Sequence, residues 1–256
     1  MTGANHRRGT AWVTGGATGI GFACAKRLGS AGFRVAISGR RVAELDRACA
    51  ELEQAGIAAR SYPLDVANPE AVARVAGEVA RDLGEVSALV CAAGTNVTAR
   101  SWKVLAAADF AKVAAINLNG VAYCVSAVLP GMRVAGAGSI VVVSSWAGWT
   151  YLPVAGAVYG ASKRALGPLV ESLNDQEGER GIRATLLCPA EVATPILGTR
   201  PRPPAAADIA RMLTPADIAE AAAYAIEAPS HVCLNEIVIT PTYNRFYVGA
   251  ADLARL

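Results

Sequence analysis

Short runs of consecutive apolar residues alternate along the chain with longer segments whose apolar residues recur at helical spacing. The short runs predict strands at 10–15 ("TAWVTG"), 34–39, 58–65, 87–94, 138–145, 182–189 and 235–240. The longer segments predict helices at 19–30, 41–54, 68–82, 106–129, 157–179 and 215–227. Strands that are apolar at nearly every position are covered on both faces, and a helix between each pair makes βαβ units. The expected fold is therefore α/β and doubly wound, a seven-stranded parallel sheet with helices on both faces. Two helix starts carry their own signal, because Asn68-Pro69-Glu70 and Thr214-Pro215 each set a capping side chain before a proline in the first turn. "GTRPRPPAAAD" at 198–208 can continue neither strand nor helix, and is expected to belong to a flap over the substrate near 194–213.

Composition narrows the classes. A chain of 256 residues, 53% hydrophobic and 18% charged, suits one large core, so a single domain over 1–256 is expected. The net charge is +3 and no basic cluster is interleaved with aromatics, so no nucleic-acid partner is expected. Six scattered cysteines and two histidines lack metal-ligand spacing, which fits reduced thiols in a metal-free cytoplasmic protein. The N-terminal residues lead straight into a strand-like run without the pattern of a secretory signal. Val113 to Met132 is uncharged and long enough to span a bilayer, but Asn117, Asn119, Gly120 and Pro130 interrupt it, and a buried or interfacial helix is expected instead of a membrane span.

Chemistry enters at the first strand's end. "TGGATGIG" (14–21) joins strand one to helix one, where Gly15, Gly19 and Gly21, with Thr18 and Ile20 between them, let backbone N–H groups approach a dinucleotide phosphate. Strand two ends in "SGRR": Gly39 stands where an acidic residue would hold the ribose of NAD, and Arg40 and Arg41 can pair with a 2′-phosphate. The cofactor expected is NADP(H), with NAD(H) the alternative. Asp65 and Val66 follow strand three as contacts for adenine, helix capping being the other role open to Asp65. Farther on, Tyr159 and Lys163 lie one helical turn apart in "AVYGASKRAL".

Over nearly its whole length the chain resembles the classical short-chain dehydrogenase/reductase family, a Rossmann fold. The resemblance rests on Thr14-Gly15-x-x-x-Gly19-x-Gly21, on Ala92-Ala93-Gly94 after strand four, and on Asn117. It also rests on the serine of "VVVSSWAG" and on Tyr159-x-x-x-Lys163. It implies Tyr159 as the acid/base and Ser145 as the group orienting the carbonyl oxygen, with Ser144 as the other serine to weigh. Lys163 would lower the phenol's pKa while binding the nicotinamide ribose, and Asn117 would hold a water in a proton relay. Further implied cofactor contacts are Ala93, Gly94, Pro189, Val192 and Thr194.

Two departures stand out. Cys91-Ala92-Ala93-Gly94 replaces the family's Asn-Asn-Ala-Gly, and Pro189-Ala190 replaces Pro-Gly. The ending "ITPT" is similar to that of bacterial carbonyl reductases and alcohol dehydrogenases. Trp146, Trp149, Tyr151 and Leu152 after the serine either wall a substrate pocket or pack in the core or an interface, and Ile196 and Leu197 are candidate flap contacts. The expectation is an NADP(H)-dependent oxidoreductase acting on a ketone, aldehyde or secondary alcohol, as a homodimer or homotetramer. Its rivals are a ketoacyl reductase that receives an acidic carrier protein through Arg200, Arg202 and Arg211, and a dinucleotide-sensing regulator without turnover.

Overall fold

The computed structural model describes residues 8–247. In chain order the strands are β1 (Thr10–Thr14), β2 (Arg34–Gly39), β3 (Ala59–Pro63), β4 (Val86–Cys91), β5 (Gly138–Val143), β6 (Ile182–Pro189) and β7 (Glu236–Ile239). The helices are α1 (Gly19–Ser30), α2 (Val42–Gln54), α3 (Pro69–Leu83), α4 (Ala107–Ala114), α5 (Gly120–Ala135), α6 (Trp146–Trp149), α7 (Ala157–Arg164), α8 (Leu166–Glu177), α9 (Ala206–Ile209) and α10 (Pro215–Glu227). All seven strands are parallel, in the order β3-β2-β1-β4-β5-β6-β7.

The period of two along each strand splits the apolar residues between two cores. Trp12, Leu89, Ile140 and Leu186 face one side, where α3, α5 and α8 cover them with Val75, Val125 and Val170. Val13, Ile37, Val90, Val141 and Leu187 face the other, under α1, α2 and α10 with Leu28, Leu45 and Ile218. Trp12 is fully buried, and its indole N–H donates to Ser38 Oγ at 2.9 Å, so burial leaves no orphaned donor there. Both predicted caps form. Asn68 Oδ1 accepts from Ala71 N at 2.9 Å, and Thr214 and Asp217 close a reciprocal capping box.

The structure differs from the expected elements where the chain turns toward function. β3, β4 and β5 end earlier than the apolar runs: Leu64, Ala92 and Ser144 donate the last backbone N–H to the neighbouring strand, and the residues after them line the cleft. The helix expected over 106–129 runs to Ala135 and contains one π-helical segment, Ala115–Asn119, that holds Asn117. Pro130 is tolerated within it because Ser126, whose carbonyl loses a partner, is exposed to water. The continuous stretch Ala107–Ala135 is long and apolar enough to cross a membrane, yet Val121, Cys124, Val125, Val128 and Met132 are spent on the sheet's core. The helix expected over 157–179 is two helices with a break at Ala165, since Pro168 has no N–H to continue the ladder.

The strand order reverses at β1, whose neighbours are β2 and β4, and such a crevice at the carboxyl ends of strands is where doubly wound folds bind ligands. The segment expected as a flap has its two ends tied: Ala193 N donates to Leu213 O at 2.8 Å and Leu213 N to Glu191 O at 3.0 Å. Between them lie a 3-10 turn, Pro195–Thr199, and α9.

Leu89 is fully buried in the centre of the sheet and Val134 is 91% exposed. Leu89→Ala should lower the stability measured by urea unfolding by about 2–5 kcal/mol. Val134→Ala should change it by less than about 0.5 kcal/mol.

Candidate active site

A cleft of about 460 Å³ opens above the strand ends. The glycine turn forms one wall. Gly15 has φ +68°, and a Cβ there would stand 2.8 Å from Ala93 N, so only glycine lets β1 and the loop after β4 approach this closely. Thr14 completes the junction, its Oγ1 accepting from Ala93 N at 3.3 Å. That side-chain bond ties the central strands where Cys91, fully within the core, supplies no amide. Thr18, Gly19, Ile20 and Gly21 continue the wall, and Ala93 and Gly94 face them.

The end of β2 and the start of α2 bring Arg40 and Arg41 to the cleft, both exposed. Arg41 Nη1 lies 3.9 Å from Glu44 Oε1, while Arg40 has no ion pair among the described residues. Asp65 and Val66 line the cleft beside them, and Asp65 Oδ1 accepts from Ala67 N at 3.1 Å, which is the turn-capping role. A glycine cradle next to two exposed guanidinium groups, with no carboxylate closing β2, fits a phosphorylated dinucleotide. Pro189, Val192 and Thr194 at the end of β6 also line the cleft.

The residues expected to be catalytic are brought together where α6 and α7 meet the end of β5. Ser144 is buried and its hydroxyl donates to Lys163 O at 2.9 Å, so it is spent on structure. Ser145 caps α6 and faces the cleft, its Oγ accepting from Ala147 N at 3.1 Å. Gly148 explains the Ser-x-x-Gly spacing, because a Cβ there would lie 2.7 Å from Lys163 O. Tyr159 and Lys163 both line the cleft, and the Lys163 ammonium donates to Val143 O at 2.7 Å.

The electrostatics depart from the expectation that Lys163 tunes the phenol. Burial pushes Tyr159 above its ordinary pKa, and the groups pulling it back are the Ser145 hydroxyl and the charges of Arg100 and Arg200. Lys163 Nζ is 6.0 Å from the tyrosine ring centre and held at the Val143 carbonyl. Burial lowers Lys163 itself to about 8, against the opposing influence of the Cys91 and Cys188 sulfurs.

Asn117 stands behind the cleft wall. Its Oδ1 accepts from Thr95 N at 2.8 Å, and its Nδ2 donates to Thr95 O at 3.0 Å and to Ser162 Oγ at 3.1 Å. The amide thus clamps the loop after β4 to α7. A Cβ on Gly94 would lie 3.6 Å from both Asn117 Oδ1 and Lys163 Nζ, so both side chains reach the same glycine.

Of the expected substrate contacts, Trp146, Leu152, Ile196 and Leu197 line the cleft. Tyr151 does not. It is 84% exposed and lies on a separate shallow groove, because the chain after α6 turns outward before the 3-10 turn at Pro153–Ala155. Trp149 lies on that same groove and packs against Trp146 at a tilt of 58°, with 5.0 Å between ring centres. The basic patch imagined for an acidic carrier is also divided. Arg200 turns inward to Glu191 at 2.5 Å with 12% of its side chain exposed, and Arg211 lies over the Tyr243 ring.

Sequence reasoning missed Arg100, Glu191, Arg245 and Phe246. Arg100 and Glu191 line the cleft with Phe246. Burial opposes the charge of Glu191, but hydrogen bonds from Arg245 and Arg200 outweigh it and hold the carboxyl below its usual range. Arg245 also reaches Asp208 Oδ2 at 3.1 Å. The one signal in the sequence was an acid directly after an apolar strand, in "LLCPAE".

Similarity to known proteins agrees with this geometry. Residues 9–204 match the short chain dehydrogenase family. An uncharacterized oxidoreductase of Staphylococcus saprophyticus is 31% identical over 237 residues, 90% of this chain and 95% of that one. A 2-dehydro-3-deoxy-L-rhamnonate dehydrogenase (NAD(+)) of Sphingomonas sp. is 37% identical over 192 residues, 74% of each chain. Among solved structures, an alcohol dehydrogenase from the archaeon Thermococcus sibiricus, complexed with 5-hydroxy-NADP, superposes with a TM-score of 0.82. It is 28% identical, and the match covers 93% of this chain and 98% of that one. With the family match spanning most of its length and the glycine turn, Ser145, Tyr159 and Lys163 gathered at one cleft, this chain belongs to the short chain dehydrogenases.

Proposed function

We propose that the protein is an NADP(H)-dependent oxidoreductase that interconverts a small ketone or aldehyde and the corresponding alcohol. The observation that carries this reading is the placement of the Tyr159 phenol beside the Ser145 hydroxyl on a cleft that also holds the glycine turn. Bound NADP(H) supplies or accepts the hydride. The residues do the rest. Tyr159 donates its proton to the carbonyl oxygen in reduction and takes it back in oxidation, and burial keeps the phenol protonated and ready to donate near neutral pH. Ser145 donates to the same oxygen and fixes its distance from the phenol. Lys163, held at Val143 O, presents its remaining N–H groups to the nicotinamide ribose. Asn117 positions the Thr95 backbone, and its amide is the group that would hold a water in a proton path from Lys163.

For the cofactor, Gly39 and Arg40, which has no ion pair among the described residues, support NADP(H), as does the Thermococcus enzyme's complex with an NADP derivative. The reading includes a homodimer or homotetramer, supported by the outward-facing Phe110 of α4, which is 41% exposed.

Tyr159→Phe should cut NADPH-dependent carbonyl reduction by roughly 10²–10⁴-fold while NADPH binding, followed by fluorescence, is retained. Equal inactivity of wild type and variant across a carbonyl panel, with NADPH bound to both, would favour the sensing regulator. Arg40→Ala should weaken NADPH relative to NADH by about tenfold or more, the loss of one charge-assisted hydrogen bond. An unchanged affinity ratio would defeat the 2′-phosphate assignment.

A further inference from the structure

Arg100 has no counterpart in the chemistry above. It lies on the loop after β4 and joins three segments: Nε donates to Val97 O at 2.9 Å, Nη1 to Val154 O at 2.6 Å and Nη2 to Thr199 Oγ1 at 3.0 Å. All three acceptors are neutral, and no carboxylate pairs with it among the described residues. A guanidinium carries five N–H groups, so two remain unused on a residue that lines the cleft. Burial, followed by the repulsion of Arg200, disfavours its charge. A cation held in such a place gains most from an anion that the chain itself does not provide.

The surrounding charges fix what that anion should be. Arg200 and Arg245 share Glu191, and Arg245 also meets Asp208. With Arg100 and the Lys163 ammonium, which also lines the cleft, four cations face two carboxylates, leaving two positive charges in excess. Lys163 is held at Val143 O, so one charge of that excess falls to Arg100, and a planar carboxylate matches its guanidinium fork. The location is at the reacting end of the cleft. Arg100 touches the flap at Thr199 and the loop before α7 at Val154, and its charge and that of Arg200 both act on the Tyr159 phenol. Arg40, Arg41 and Asp65 lie by contrast at the ends of β2 and β3.

We propose that the substrate carries a carboxylate held by Arg100, with Arg200 beside it, so that the enzyme interconverts a small oxo acid and the matching hydroxy acid. The proposal rests on the oxidoreductase reading and narrows its substrate class. In reduction the carbonyl carbon gains the hydride, its oxygen gains the Tyr159 proton, and NADPH is oxidised to NADP+, while the carboxylate passes through unchanged. The phenol is reprotonated from solvent. Arg100 is thereby a specificity residue that orients the carbonyl through the far end of the molecule.

The test pairs 2-, 3- and 4-oxo acids with their own methyl esters, followed by NADPH oxidation. Wild type should favour at least one acid over its ester by about tenfold or more in kcat/KM. Arg100→Gln should bring that ratio close to one by raising KM for the acid, and Arg100→Lys should keep part of it, with thermal unfolding of each variant recorded alongside. Esters matching every acid in wild type, or a preference that survives Arg100→Gln, would overturn the proposal. Calorimetric titration of the NADP+-saturated protein with the same acids and with inorganic phosphate separates the two readings. Carboxylate binding lost in Arg100→Gln without any turnover would sink the oxidoreductase reading and leave the anion anchor standing. No carboxylate binding, or tighter phosphate, would end the anchor itself.

Discussion

The seating of α7 on the carboxyl end of β5 is the constraint from which the site follows. Lys163 reaches down to Val143 O, Ser144 reaches across to Lys163 O, and Gly148 leaves the space between α6 and α7 that makes both bonds possible. An ammonium buried this deeply would be costly without a partner, so its bond to Val143 anchors the helix as much as it positions the amine. Once α7 is fixed, Tyr159 one turn earlier has little freedom, and Ser145 is brought beside it by the strand it has just left. The Asn117 clamp on Thr95 then closes the third side, joining the loop after β4 to Ser162 on the same helix.

Charge is distributed around the cleft in an order that burial explains. Glu191 is 5% exposed in its side chain and could not stay ionised without the two guanidinium groups that meet it. Arg245 belongs to the last described stretch of the chain and Arg200 to the flap, so a single carboxylate at the end of β6 gathers both over the site. Phe246 follows Arg245 into the cleft wall, and Tyr247 meets Trp146 edge-on at 5.7 Å. The apolar closure of the cleft thus depends on an ionic bond at its rim.

The sheet was legible in the sequence because parallel strands buried on both faces read as unbroken apolar runs, and "GSIVVV" or "IRATLLCP" admit little else. The glycine turn, Ser145, Tyr159 and Lys163 were legible because each sits at a fixed offset from one of those strands or helices. What escaped was whatever depends on meetings between loops. Arg100 lies in a stretch with no periodicity, and its three acceptors come from residues 97, 154 and 199, which only the folded chain brings together. The exposure of Tyr151 escaped for the same reason, since the direction of a turn after α6 is set by Pro153 and Gly156 rather than by the aromatic itself. The inward turn of Arg200 required knowing that Glu191 is buried, which its position in the sequence does not state.

The paired ends of the flap have a meaning beyond the present cleft. Leu213 is joined by backbone hydrogen bonds to Ala193 and Glu191, so the segment between them is a closed loop whose base belongs to the scaffold. Its length and side chains can vary without pulling on β6 or α10, because loop closure grows only slowly in cost with length. Such a segment behaves as an exchangeable cassette, through which one hydride-transfer scaffold can be refitted to new substrates while the serine, tyrosine and lysine stay where β5 has put them.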